Sequence, residues 1–174
     1  MEDGFSTFGR PNKIKTHLVP VKPAKPAFPH TFKFEEVGSL SKNGRRFSDR
    51  GFAGKNCSKI VQVDFYTDIV TGNLIGLQAT YLINEVLKKG NLNMIVIKKK
   101  TSKVTAEVSD KEFDYYRSIE CFSDSRDIMV GISMTSNNGE SVSVGNISGS
   151  RRPLSISRNE CPGCFFGSFC ELGL

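Results

Sequence analysis

The sequence predicts an all-β domain carried behind an extended arm, and three features of it lead there. From Gly44 onward apolar residues alternate with polar ones at a period of two. Turn signals punctuate that alternation at roughly ten-residue intervals, with no long helical period between them. Five of the seven prolines fall before residue 40: Pro11, Pro20, Pro23, Pro26 and Pro29. Each proline fixes φ and removes a backbone donor, so that stretch can form neither a helix nor a central strand. The division expected is an extended basic arm over 1–40 and a β domain over 41–174.

The strands can be read in order. Val61, Val63 and Phe65 alternate with Gln62 and Asp64, and Ile75, Leu77, Ala79 and Tyr81 with Gly76, Gln78 and Thr80. Val104, Ala106 and Val108 form a third set, and Ile128, Val130, Ile132 and Met134 a fourth. Val142 with Val144, and Leu154 with Ile156, are flanked by serines. In a strand successive side chains point to opposite faces, so each set defines one buried face. Turns are expected at Thr71-Gly72-Asn73, Lys89-Gly90-Asn91, Asn137-Asn138-Gly139 and Ser148-Gly149-Ser150. Asn138-Gly139 is the strongest hairpin signal. Two segments read as short helices, 84–89 and 110–117.

The arm interleaves Lys13, Lys15, Lys22 and Lys25 with Phe5, Phe8, Leu18, Val19, Phe28, Phe32 and Phe34. A plain linker has little use for so many large apolar groups. The arm is therefore a candidate partner-binding element, either lying on its own domain or along an acidic protein surface. The chain carries 24 Lys+Arg against 18 Asp+Glu, a net +6, which favours acidic partners as well as solubility. The basic runs Lys98-Lys99-Lys100 and Arg151-Arg152 lack the interleaved aromatics on which a nucleic-acid reader stacks bases, so nucleic acid is not the expected partner.

Catalytic material is sparse. The two histidines, His17 and His30, both lie in the arm, and neither a phosphate-binding lysine loop nor a dinucleotide-binding glycine pattern occurs. The carboxylate pairs Asp110 with Glu112, and Asp124 with Asp127, sit in polar turns where solvation is the ordinary state. Cys161-Pro162-Gly163-Cys164 could form a redox pair, half of a zinc site with Cys170 and one of Cys57, Cys121, His17 or His30, or a turn with two thiols. The aromatic run Phe165-Phe166-Gly167-Ser168-Phe169 that follows is not the helix a redox pair caps. The reading is of a non-enzyme without cofactor or metal. The acidic start Met1-Glu2-Asp3-Gly4 does not resemble a secretory leader, and no apolar stretch is long enough for a membrane-spanning helix. A cytoplasmic or other intracellular setting is expected.

Five motifs in order resemble the jacalin-related lectins. They are Gly44-Arg45-Arg46-Phe47-Ser48-Asp49; Ile75-Gly76-Leu77-Gln78-Ala79-Thr80-Tyr81 with the Ile60–Val63 strand before it; Val108-Ser109-Asp110-Lys111-Glu112-Phe113 followed by Ile119-Glu120; Ile128–Thr135 with Asn137-Asn138-Gly139; and Phe165–Leu174. The resemblance covers 44–174 and is nearest to the animal zymogen-granule branch. It implies a β-prism of three antiparallel Greek-key sheets, and a sugar site without metal or catalysis. By position that site would use Gly44 at the end of the first loop, and Gly167, Ser168, Phe169, Cys170 and Glu171 in a second loop. A carboxylate there accepts from sugar hydroxyls while backbone N–H groups donate, and glycine lets the backbone approach closely. The acid is Glu171 where the family pattern has Asp, and the first loop, Ser41-Lys42-Asn43-Gly44, has one glycine rather than several. Two functions are thus expected to compete. One is a carbohydrate-binding module. The other is a structural or adaptor subunit of a cytoskeletal, ribonucleoprotein or membrane complex, with the prism as a rigid head and the arm as the connector.

Overall fold

The computed structural model describes residues 44–51, 59–94, 100–108, 114–154, 156 and 162–169. Its eleven strands are β1 (Arg45–Ser48), β2 (Lys59–Asp68), β3 (Leu74–Ile83), β4 (Val86–Lys89), β5 (Asn93–Met94), β6 (Thr101–Glu107), β7 (Tyr116–Ser123), β8 (Met129–Ser136), β9 (Ser141–Gly145), β10 (Ser150–Leu154) and β11 (Phe166–Phe169). They form three antiparallel sheets, and no helix occurs among the described residues. The all-β class read from the period-two pattern is the observed one.

Two of the sheets are Greek keys. In the four-stranded sheet the order is β10-β7-β8-β9: three strands joined by tight turns, and a fourth that returns beside the first. The larger sheet repeats the scheme as β6-β2-β3-β4, with β5 pairing β3 beyond the end of β4. The third sheet is the ribbon β1–β11, which joins the start of the described chain to its end.

The core lies where the alternation places it. Val63, Phe65, Leu77, Ala79 and Tyr81 from the larger sheet meet Ile119, Cys121, Ile132, Met134 and Val144 from the four-stranded sheet. Register shifts near Ile60/Gln62 and Tyr66/Thr67 break strict alternation in β2, and Ile60 and Val61 are both buried there. An extra residue in one strand resets which face the next side chain takes.

The hairpins expected at Thr71-Gly72-Asn73 and Asn137-Asn138-Gly139 join β2 to β3 and β8 to β9. Gly139, at φ +88°, takes the left-handed conformation that the turn requires. Lys89-Gly90-Asn91 links β4 to β5, and Ser148-Gly149-Ser150 leads into β10.

The short helix expected over 84–89 does not form. Asn84 and Glu85 both have positive φ, 48° and 66°, the signature of a two-residue hairpin turn whose twist matches the flanking strands. Val86–Lys89 then pairs with β3 from Ile83↔Val86 to Thr80↔Lys89. The helix expected over 110–117 is likewise overturned at its end: Tyr116 and Arg117 open β7, while 110–113 lie outside the described residues.

Candidate functional site

The ribbon β1–β11 carries the described part of the site read from the sequence. Its register pairs Arg45 with Phe169, Arg46 with Ser168, Phe47 with Gly167 and Ser48 with Phe166. Gly44 therefore enters the ribbon at the end from which the chain leaves after Phe169. Gly44, Gly167, Ser168 and Phe169 share one two-stranded element. Cys170 and Glu171 lie outside the described residues, as do the arm positions Phe5, Phe8, Lys13, Lys15, Lys22, Lys25, Phe28 and Phe32.

Gly167 is held by steric demand as well as by register. A Cβ there would sit 3.1–3.2 Å from two ring carbons of Phe47, closer than the half-buried ring accommodates without shifting. Phe47 in turn packs against the core, so the glycine couples the ribbon to the prism interior. In the turn after β1, the Arg50 guanidinium lies 5.6 Å from the ring centroid of Phe166 on β11, within cation–π range. With Arg45 and Arg46 exposed beside it, the ribbon presents positive charge.

A buried polar junction anchors the ribbon's inner end. The Tyr81 hydroxyl donates to Oδ2 of Asp49 at 2.7 Å and accepts from the Phe165 backbone N–H at 3.3 Å. The Asp49 N–H donates to the Phe165 carbonyl at 3.0 Å. Tyr81 thus bridges the residue after β1 to the residue before β11, from the centre of the largest sheet. Burial pushes the Asp49 carboxyl above its usual range, and the hydrogen bonds from Tyr81 and the Asn91 backbone only partly offset this. Oδ1 of Asp49 has no hydrogen-bond partner among the described residues. Gly90 is needed for the fit, since a Cβ on it would come within 2.6 Å of Oδ2 of Asp49. The sequence placed Asp49 only in the opening motif and Tyr81 only on a buried face; nothing in their spacing joined them.

The second buried carboxylate, Asp64, faces the outer side of the larger sheet. It accepts from Gln62 Nε2 (3.0 Å) and Thr105 Oγ1 (2.9 Å), and pairs with Lys103 (2.9 Å) and Lys89 (3.3 Å). Burial alone would raise its pKa, but these four donors outweigh that and bring it down to about 2. A carboxylate so fully occupied is a sheet clamp rather than a group free for proton transfer.

The other candidates separate similarly. Cys121 is buried in β7 with its thiol pushed up to about 11. Burial raises the Cys164 thiol too, with Arg50 opposing and Asp49 adding to the shift; both are poor nucleophiles. Cys161, Cys170, Cys57, His17 and His30 lie outside the described residues. No group of three metal-ligating side chains occurs among the described ones. Asp124 is held by Arg126 at 2.8 Å, and Asp127 pairs with Arg152, also at 2.8 Å. Arg151 pairs with Glu120. Asp110 and Glu112 are not described.

The prism architecture is shared with solved lectins. A galactose-specific lectin from Artocarpus hirsuta, in complex with methyl-α-D-galactose, superposes with a TM-score of 0.61 at 19% identity, over 72% of this chain and 90% of that one. The fold is the jacalin-type β-prism. Frutalin from Artocarpus incisa, in complex with galactose, gives 0.60 at 18% identity over 72% and 90%. A mannose-binding lectin from champedak gives 0.55 at 14% over 76% and 90%. No family model matches the chain, and no curated protein matches it in sequence.

Proposed function

We propose that this chain is a non-catalytic carbohydrate-binding module whose sugar site lies at the open end of the β1–β11 ribbon, between Gly44 and the segment Gly167–Glu171. The observation that carries this reading is the fold shared with solved lectins, among them a galactose-specific and a mannose-binding one. Because both sugar types occur on this fold, the fold does not choose between them. The register supports the location, since it brings Gly44 beside the strand that leads into Cys170 and Glu171. Glu171 is proposed to accept from two sugar hydroxyls, while ribbon backbone N–H groups donate. The prolines of the arm and the β pattern after it support separating an arm over 1–40 from a domain over 41–174. Kinship to the animal zymogen-granule branch rests on the sequence motifs alone.

A glycan array probed with the full chain tests this reading. Galactose- or mannose-containing glycans are expected to bind, and Glu171→Ala to remove that binding without lowering the melting temperature. An array with no signal above background overturns it.

A further inference from the structure

Six large apolar side chains stand exposed among the described residues; Val86, Leu87 and Leu92 lie on β4 or in its link to β5, and the other three lie at two neighbouring turn tips. Ile69 and Val70, in the β2–β3 turn, are 57% and 86% exposed, and Ile147, in the β9–β10 turn, is 50% exposed. The two turns belong to the same end of the molecule. A Cβ placed on Gly145, at the end of β9, would sit 3.2 Å from Cβ of Leu74, the first residue of β3.

The exposure is built in. Asp68, itself buried, accepts the Val70 N–H on Oδ1 at 2.9 Å, and its carbonyl accepts the Gly72 N–H at 2.7 Å. In the second turn Asn146 Oδ1 accepts the Ser148 N–H at 3.0 Å. Each turn uses an aspartate or asparagine side chain to close on the residue two positions on, which thrusts the intervening isoleucine outward. Aliphatic groups fixed on convex tips suit a partner they can sink into.

Cationic charge lies at the root of the first tip. The Ile69 N–H donates to the carbonyl of exposed Lys100 at 3.2 Å, and in sequence Lys98 and Lys99 precede it. In the adjoining β7–β8 turn Asp124 is balanced by Arg126, and Asp127 by Arg152. The acids there are paired with arginines, and exposed Lys100 supplies the positive charge beside the first tip.

We propose that this end of the prism docks on an anionic lipid bilayer, with Ile69, Val70 and Ile147 entering the headgroup–acyl boundary and Lys100 meeting lipid phosphates. Shallow aliphatic insertion combined with attraction to anionic lipid is the recurrent basis of peripheral membrane binding.

The chain contains no tryptophan, so Val70→Trp in the full-length protein gives a single reporter at the most exposed tip. Its emission is expected to shift to the blue on adding phosphatidylcholine vesicles containing phosphatidylserine, and to stay unshifted with phosphatidylcholine alone. In co-sedimentation with the mixed vesicles, Ile69→Ser with Val70→Ser is expected to lower partitioning by about tenfold or more. Both sites are exposed, and an unchanged melting temperature confirms that the fold is kept. Vesicle binding with an unshifted reporter overturns the proposal, because the chain then adsorbs through other charges. So does equal binding by the double variant, or a blue shift that follows protein concentration or added RNA instead of vesicles. Neither readout involves sugar, so failure here is separable from failure of the lectin reading.

Discussion

Two aspartates, both fully buried, mark two regions of the prism built on different principles. Asp64 lies in the middle of the ten-residue strand β2, and four side chains on three strands converge on it. Asp49 lies at the inner end of the four-residue strand β1, where one tyrosine hydroxyl and a backbone N–H are its described donors. Their titrations are displaced in opposite directions. The larger sheet is stapled from outside by polar contacts; the ribbon is tied to the core by one hydroxyl. A two-stranded ribbon is marginal by itself, so the candidate site depends on that tie. Large sheets supply stability while the small ribbon positions what could recognise a ligand.

The largest effect should come from cutting the tie. Tyr81→Phe removes the donor to Asp49 and the acceptor for the Phe165 N–H, leaving buried groups unpaired at a cost of about 1–3 kcal/mol, measurable by urea unfolding. Sugar binding should weaken too, because the ribbon loses its inner anchor. Next comes the acid limb of stability. Asp64 has a folded pKa of about 2 against an ordinary 3.8. Its contribution is therefore complete above the ordinary value and is lost as pH falls through 3.8 towards 2. Its lysine partners are half-exposed, so after allowing for screening the loss is about 1 kcal/mol. Asp64→Asn should abolish this limb.

Asp49 has the opposite sign. Its folded pKa is raised, so its contribution is present below the ordinary value and falls as pH rises from 3.8 through the folded value. Asp49→Asn should flatten that slope while leaving the Asp64 limb intact; if both limbs vanish together, the two regions are not independent. The smallest effect expected is from Lys89→Ala, about 0.5 kcal/mol and weaker at high salt, since Lys103 still holds Asp64.

The strands were legible because burial on one face imposes a period of two, and Asn138-Gly139 was legible because a tight hairpin demands positive φ. Residues 84–89 were misread because Glu85, Leu87, Lys88 and Lys89 favour helices locally, whereas pairing with β3 decided the outcome. The Asp49–Tyr81 contact spans 32 positions, and no local pattern encodes it. Asp64 read simply as the polar member of an alternation; its four donors are visible only once four strands, β4-β3-β2-β6, lie side by side. Of the site, sequence order gave Gly44 and Gly167, but their shared ribbon comes from a pairing between the two ends of the described chain.

Calorimetric titration of the full chain and its Glu171→Ala variant with galactose- and mannose-terminated oligosaccharides decides whether the end of the ribbon holds a sugar. Saturable binding to one of the two classes is expected of the parent chain, and none of a variant that melts at the same temperature. Equal binding by both proteins, or heat from neither sugar with the parent, would contradict that expectation.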